Sequence, residues 1–276
     1  MLMRPDEYAV ITGATSGIGL EFARRFASGG MRLMITGRRA ELLRQRADEL
    51  QALGAPSVEL VTGDLADAAV VSEIELFLKT HACSVLVNNA GFGTTGRVDE
   101  LETSQLLAMA EVLMTVPLRL CRAVIPSMRE RRAGVVINVG SLAGNVAVPK
   151  AATYVSSKAF IERLSESLAL ENLEAGVVVQ ALTPGFVKTD FHRDVSDYRS
   201  RQQSRGMIRW LTPEEVVDLS LSRAEEATRK LQNGFRVPSR RLTVVVPGFW
   251  NRFLFAASRF VPRRIAYRGA LNRARL

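Results

Sequence analysis

The sequence predicts an α/β fold: one doubly wound parallel sheet with helices on both faces. Three observations predict it. Short apolar and β-branched runs alternate with helical periodicities along most of the 276 residues. The first such run ends in a glycine-rich turn that opens a helix. The chemically distinctive residues all stand just beyond the carboxyl ends of the predicted strands, which is where open α/β sheets bind ligands.

Residues 8–12 read as the first strand, and Leu20, Phe22, Ala23, Phe26 and Ala27 recur at helical spacing until Gly29 and Gly30 stop the helix. Between them lies Thr12-Gly13-Ala14-Thr15-Ser16-Gly17-Ile18-Gly19. Strand, glycine turn and helix start in that order make a phosphate cradle: glycines let backbone N–H groups approach an anion, and the helix N-terminus adds favourable partial charge. Residues 32–36 form a second strand, followed by Gly37-Arg38-Arg39 and a helix to about Leu53. An acid near this point would bind the ribose 2′-hydroxyl of NAD, whereas arginine accommodates a 2′-phosphate. Residues 32–39 hold Arg38 and Arg39 and no acid, which favours NADP(H).

Residues 58–62 are a third strand leading into Gly63-Asp64-Leu65, with a helix over 68–81. A fourth strand, 84–87, runs into Asn88-Asn89-Ala90-Gly91, residues that satisfy backbone groups in a turn or line a cofactor pocket. One long helix is expected over 103–128, with Pro117 inside it. A fifth strand, 135–139, delivers Gly140-Ser141, and the next helix runs to about Ala175. A sixth, 177–182, closes in Thr183-Pro184-Gly185-Phe186-Val187-Lys188-Thr189. After a helix over 213–231, residues 242–246 read as a last strand stopped by Pro247-Gly248.

Tyr154 and Lys158 stand four apart in the helix after Ser141, so one face carries a phenol and an ammonium about a turn apart. A nearby cation favours the phenolate and is expected to lower the tyrosine pKa toward the range where a proton donor works best. The spacing alone is common on solvated helices; the surrounding motifs give it meaning.

Together these residues resemble the short-chain dehydrogenase/reductase family, over about residues 7–190. Residues 12–19 are similar to its T-G-x-x-x-G-x-G turn, Asp64 to its adenine-contacting acid, 88–91 to its N-N-A-G, and Pro184, Gly185 and Thr189 to its P-G-x-x-x-T segment. Ser141, Tyr154 and Lys158 match its catalytic residues. The resemblance implies a Rossmann-like fold, hydride transfer between NADP(H) and a small-molecule carbonyl or alcohol, and a cofactor site of Gly13, Thr15, Ser16, Gly17, Ile18, Gly19, Arg38, Arg39, Asp64, Leu65, Asn89, Ala90, Gly91, Tyr154, Lys158, Pro184, Gly185, Val187 and Thr189. It also implies a homo-oligomer, dimer or tetramer. One position departs: where the family usually carries an asparagine, said to hold a proton-relaying water, this chain has Leu113. The alternative reading is therefore a protein that binds NADP(H) with little or no turnover. Residues 186–210 are expected to form a lid that mixes aromatic residues with arginines, and the substrate is expected to be a lipophilic ketone or 3-oxoacyl group.

Composition bounds the remaining classes. A hydrophobic content of 47% with 24% charged residues suits a globular protein, and no apolar stretch is long enough to span a bilayer. The charged N-terminus lacks the apolar run of a signal peptide, so a cytoplasmic location is expected. Cys83 and Cys121 have no metal-ligand spacing; they suit two buried thiols in a reducing compartment, and no metal site is expected.

The net charge of +9 sits in the tail: residues 227–276 hold 12 Lys and Arg and no acid, leaving 25 basic against 28 acidic residues before them. We divide the chain into a domain at 1–248 and a basic amphipathic helical extension at 249–276. Helical spacing puts Phe249, Trp250, Phe253, Leu254, Ala257, Phe260 and Val261 on one apolar face, with Arg252 and Arg259 opposite. Packing on the body or on a second subunit is preferred over peripheral contact with an anionic membrane, and both over nucleic acid.

Overall fold

The computed structural model describes residues 3–189, 191, 209–234, 240–258, 260, 264 and 267. Strands β1 (Tyr8–Ile11), β2 (Arg32–Gly37), β3 (Val58–Thr62), β4 (Cys83–Asn88), β5 (Gly134–Val139), β6 (Val177–Leu182) and β7 (Val244–Val245) form one parallel sheet in the order β3-β2-β1-β4-β5-β6-β7. The order reverses between β1 and β4, and a crevice opens at such a switch beyond the strands' carboxyl ends.

Alternation along β1 shows how both faces are covered. Ala9 and Ile11 face a core completed by Phe22 and Phe26 of α1 (Gly17–Ser28), Leu43 and Leu50 of α2 (Ala40–Ala52), and Val216 and Leu221 of a later helix, Pro213–Gln232. Tyr8 and Val10 face the other core, with Val71, Ile74 and Leu78 of α3 (Ala68–Thr80). Both faces are buried, so the strands read as near-continuous apolar runs.

The expected long helix is present but not uniform. It divides into α4 (Thr103–Ala110), a π-helical turn over Glu111–Thr115 and α5 (Val116–Glu130). In the π turn the Val116 N–H reaches the Glu111 carbonyl, five residues back. Pro117 gives the physical reason: it has no N–H to offer the carbonyl of Leu113, four residues earlier, and its ring crowds that carbonyl. The next helix, α6 (Ala152–Glu171), ends about a turn before the expected position. In α7 (Pro213–Gln232) a capping box fixes the start: Thr212 Oγ1 accepts from Glu215 N at 3.3 Å, and Glu215 Oε2 accepts from Thr212 N at 2.8 Å.

Two expectations near the C-terminus are corrected. The strand expected over 242–246 shrinks to the two residues of β7, because Leu242 belongs to a short helical turn, α8 (Arg240–Thr243), and packs into the core from there. The amphipathic segment forms α9 (Phe249–Ala257), but its apolar face is split. Asn251 is buried while Phe249, Trp250 and Phe253 are exposed. Most of the expected lid, including His192, Arg193, Tyr198, Arg199, Arg201, Arg205, Met207 and Ile208, lies outside the described residues, as do Arg259 and Val261.

Candidate active site

A cavity of about 1840 Å³ runs along the carboxyl ends of the strands. Its first arm is the glycine turn. Gly13 and Gly17 have φ of +68° and +60°, a conformation that favours glycine. A Cβ at Gly13 would stand 2.9 Å from the Ala90 Cα, so the turn lies directly against the loop after β4. That loop is tied back: Asn89 Nδ2 donates to the carbonyls of Thr12 (3.0 Å) and Gly13 (3.1 Å), and Thr12 Oγ1 accepts from Asn89 N and Ala90 N, each at 3.0 Å. Thr189 closes from the other side, its Cγ2 3.0 Å from a Cβ built on Gly17.

Of the residues expected at the cofactor, Gly13, Thr15, Ser16, Gly17, Ile18, Arg38, Arg39, Asp64, Leu65, Asn89, Ala90, Gly91, Tyr154, Lys158, Pro184, Gly185, Val187 and Thr189 line this cavity. Gly19 is placed differently. It is buried behind the turn, where a Cβ would meet Asn89 Nδ2 at 2.3 Å; its lack of a side chain lets the turn close rather than touching the cavity. Arg38 and Asp64 face each other at the cavity rim, 3.8 Å apart and both largely exposed.

A dinucleotide phosphate fits this arm. The bare glycines admit a close-lying anion at the start of α1, and two arginines with no neighbouring acid on β2 suit a 2′-phosphate.

The second arm gathers Ser141, Tyr154 and Lys158. Ser141 stands between β5 and a 3-10 turn over Leu142–Asn145, where its Oγ accepts from Ala143 N at 3.2 Å. Its hydroxyl also acts on the Tyr154 phenol of α6, drawing that group's pKa down. On the same helix Lys158 is buried; its Nζ donates to the Val139 carbonyl at 2.8 Å and lies 5.8 Å from the centre of the Tyr154 ring. Burial pushes the Tyr154 phenol up from its ordinary value, and the Ser141 hydroxyl pulls it part of the way back. This corrects the expectation of a phenol lowered by its lysine: desolvation sets the direction, and the lysine, which donates to Val139, is not among the causes. Burial brings Lys158 itself down to about 8.

Asn88 belongs to the scaffold beneath. Its Nδ2 donates to Asn138 Oδ1 at 2.8 Å, and Asn138 Nδ2 donates to Ser165 Oγ of α6 at 3.0 Å, so buried amides tie β4, β5 and the Tyr154 helix together. Leu113 is buried in the π turn next to Gly91. Cys83 and Cys121 are buried free thiols, each pushed up to about 12 by burial, and neither lines the cavity.

The third arm was not read from the sequence. Asn251, Leu254, Phe255 and Ser258 line the cavity from α9, and Leu142, Val146, Val148 and Phe186 add apolar surface. Asn251 stands in an apolar run and so escaped notice. Gly185 opposite it is what makes room, since a Cβ there would lie 2.7 Å from Asn251 Oδ1.

A parallel sheet with a phosphate cradle, and a serine, tyrosine and lysine converging beyond its strand ends, defines a dinucleotide-dependent oxidoreductase. Residues 7–200 match the family model described as short chain dehydrogenase, and the chain belongs to the short-chain dehydrogenase/reductase family. It is 35% identical over 216 residues to the very-long-chain 3-oxoacyl-CoA reductase of Mycosarcoma maydis, covering 76% of this chain and 59% of that protein. Among solved structures it is similar to a short-chain dehydrogenase from Sphingobium yanoikuyae in complex with NADPH, with a TM-score of 0.74, 26% identity, and coverage of 92% of this chain and 94% of that one. The bulky-bulky ketone specific alcohol dehydrogenase from Comamonas testosteroni superposes with a TM-score of 0.73 at 25% identity, covering 92% of this chain and 93% of that one.

Proposed function

We propose that the protein is an NADP(H)-dependent carbonyl reductase acting on a lipophilic ketone or a 3-oxoacyl group. The observation that carries the reading is the placement of the Tyr154 phenol, with Ser141 and one turn from Lys158, in the same cavity as the glycine turn and Arg38 and Arg39. NADPH, when bound, supplies the hydride that reduces the carbonyl carbon. Tyr154 gives its proton to the carbonyl oxygen as negative charge develops there, and its raised pKa keeps that proton in place at neutral pH. Ser141 offers a hydroxyl to orient the same oxygen. Lys158, still largely protonated at neutral pH, would hold the nicotinamide ribose and favour the tyrosinate left after transfer.

Support for the substrate class is the apolar lining of the far arm, Leu142, Val146, Val148, Phe186, Leu254 and Phe255. The 3-oxoacyl and bulky ketone substrates in the names of the two relatives above point the same way. The test is NADPH oxidation with a panel of bulky aromatic ketones and 3-oxoacyl thioesters. The native chain should turn over at least one, and Tyr154→Phe should lose roughly 10²-fold or more while still binding NADPH. Full activity in Tyr154→Phe would remove its assignment as proton donor. NADPH binding with no turnover across the panel would favour the sensor reading that Leu113 supports.

A further inference from the structure

We propose that the outward face of α9 is a docking surface for an anionic membrane. The helix has two sides. Asn251, Leu254, Phe255 and Ser258 turn inward to the cavity, and the Arg240 guanidinium lies over the Phe255 ring, 5.6 Å from its centre, holding α9 to the body. The opposite side carries Phe249, Trp250 and Phe253, which are 68%, 38% and 53% exposed, and Phe260 just past the helix end is 85% exposed. Trp250 packs edge to face with both Phe249 and Phe253, at centroid distances of 5.7 and 6.2 Å. The rings are therefore one continuous patch, and a contiguous exposed apolar patch marks an interaction site where scattered single residues do not.

Charge selects the occupant. Arg252 is exposed on the same helix, and residues 227–276 carry 12 Lys and Arg without one acid; Lys230 and Arg240 pair with Glu226, Glu162 and Glu166 of the body, while Arg252 stands beside the exposed rings. Aromatic rings favour the boundary between headgroups and acyl chains, and arginines beside them keep their guanidinium groups at the phosphates. A second copy is the poorer fit: a two-fold contact through this patch would bring two such basic segments together. Among the described residues no helix is long and apolar enough to cross a membrane, so the contact lies at the surface.

The test uses the full chain with vesicles of phosphatidylcholine alone and of phosphatidylcholine with phosphatidylglycerol. Co-sedimentation should occur with the anionic vesicles, weaken as salt rises, and be slight with the neutral ones. Trp250 emission should shift to the blue on binding. A triple variant, Phe249→Ser, Trp250→Ser and Phe253→Ser, alters no residue that lines the cavity and should keep its unfolding midpoint while binding at least ~10-fold more weakly. Arg252→Glu should also weaken binding to the anionic vesicles. No sedimentation of the native chain, or equal sedimentation of the triple variant, overturns the proposal. So does a native dimer that ignores vesicles and dissociates in the triple variant.

Discussion

Leu113 leans on Gly91: a Cβ built on Gly91 would stand 2.7 Å from Leu113 Cδ2. The loop that lines the cavity after β4 and the π turn behind it therefore hold one another in place. Gly91→Ala should cost ~1–3 kcal/mol, because the buried leucine has to shift or the loop has to move. The Gly91→Ala, Leu113→Ala pair should be non-additive by ~0.5–3 kcal/mol in urea unfolding. Additive effects would show that the two side chains do not share this space.

Lys158 gives a pH prediction with a definite sign. Its folded-state pKa of about 8 lies below the ordinary 10.5, so the folded state carries the cost of a buried ammonium below pH 8. That cost is released as pH rises from 8 toward 10.5. Lys158→Met removes the charge and should stabilise the protein near neutral pH by up to ~3 kcal/mol, less whatever is lost with the hydrogen bond to Val139. Urea titrations should show this gain shrinking as the pH passes 8. A gain that stays constant with pH would mean that the lysine is not held down by burial.

Arg38 and Arg39 should set the choice between cofactors. Replacing both with alanine should weaken NADPH binding by roughly tenfold or more and leave NADH binding little changed, as followed by fluorescence titration. Replacing Asp64 with asparagine frees Arg38 from its 3.8 Å partner without removing either arginine, and so should leave the preference for NADPH intact. Equal losses for both cofactors in the double alanine variant would place the arginines elsewhere than at the 2′-phosphate.

Much of the glycine arm and the gathering of Ser141, Tyr154 and Lys158 in one cavity was legible because local spacing sets them. Four residues along a helix bring Tyr154 and Lys158 together, and the glycines of the first turn need only their immediate neighbours to adopt positive φ. What escaped depends on contacts between distant segments. The expected effect of Lys158 on Tyr154 follows from spacing, but burial and the Val139 carbonyl decide the outcome. Asn251, one polar residue in an apolar run, drew no expectation from periodicity. It turns inward because Gly185 leaves it room and the Pro247 carbonyl accepts its Nδ2 at 2.8 Å. The π turn is the exception, a local effect of Pro117 on the carbonyl four residues earlier, read from the sequence only as a proline inside one long helix.

Helix α6 carries more than Tyr154 and Lys158. Eight residues beyond Tyr154, Glu162 accepts from Asn145 Nδ2 at 3.1 Å and from Arg240 Nη2 at 3.2 Å, while Glu166 accepts from Arg240 Nε at 3.1 Å. The same Arg240 lies over Phe255. Along the axis, eight residues span about 12 Å. One helix thus carries the Tyr154 phenol and, a little over two turns on, the acids that hold Arg240 over Phe255, so the near and far walls of the cavity share a single support.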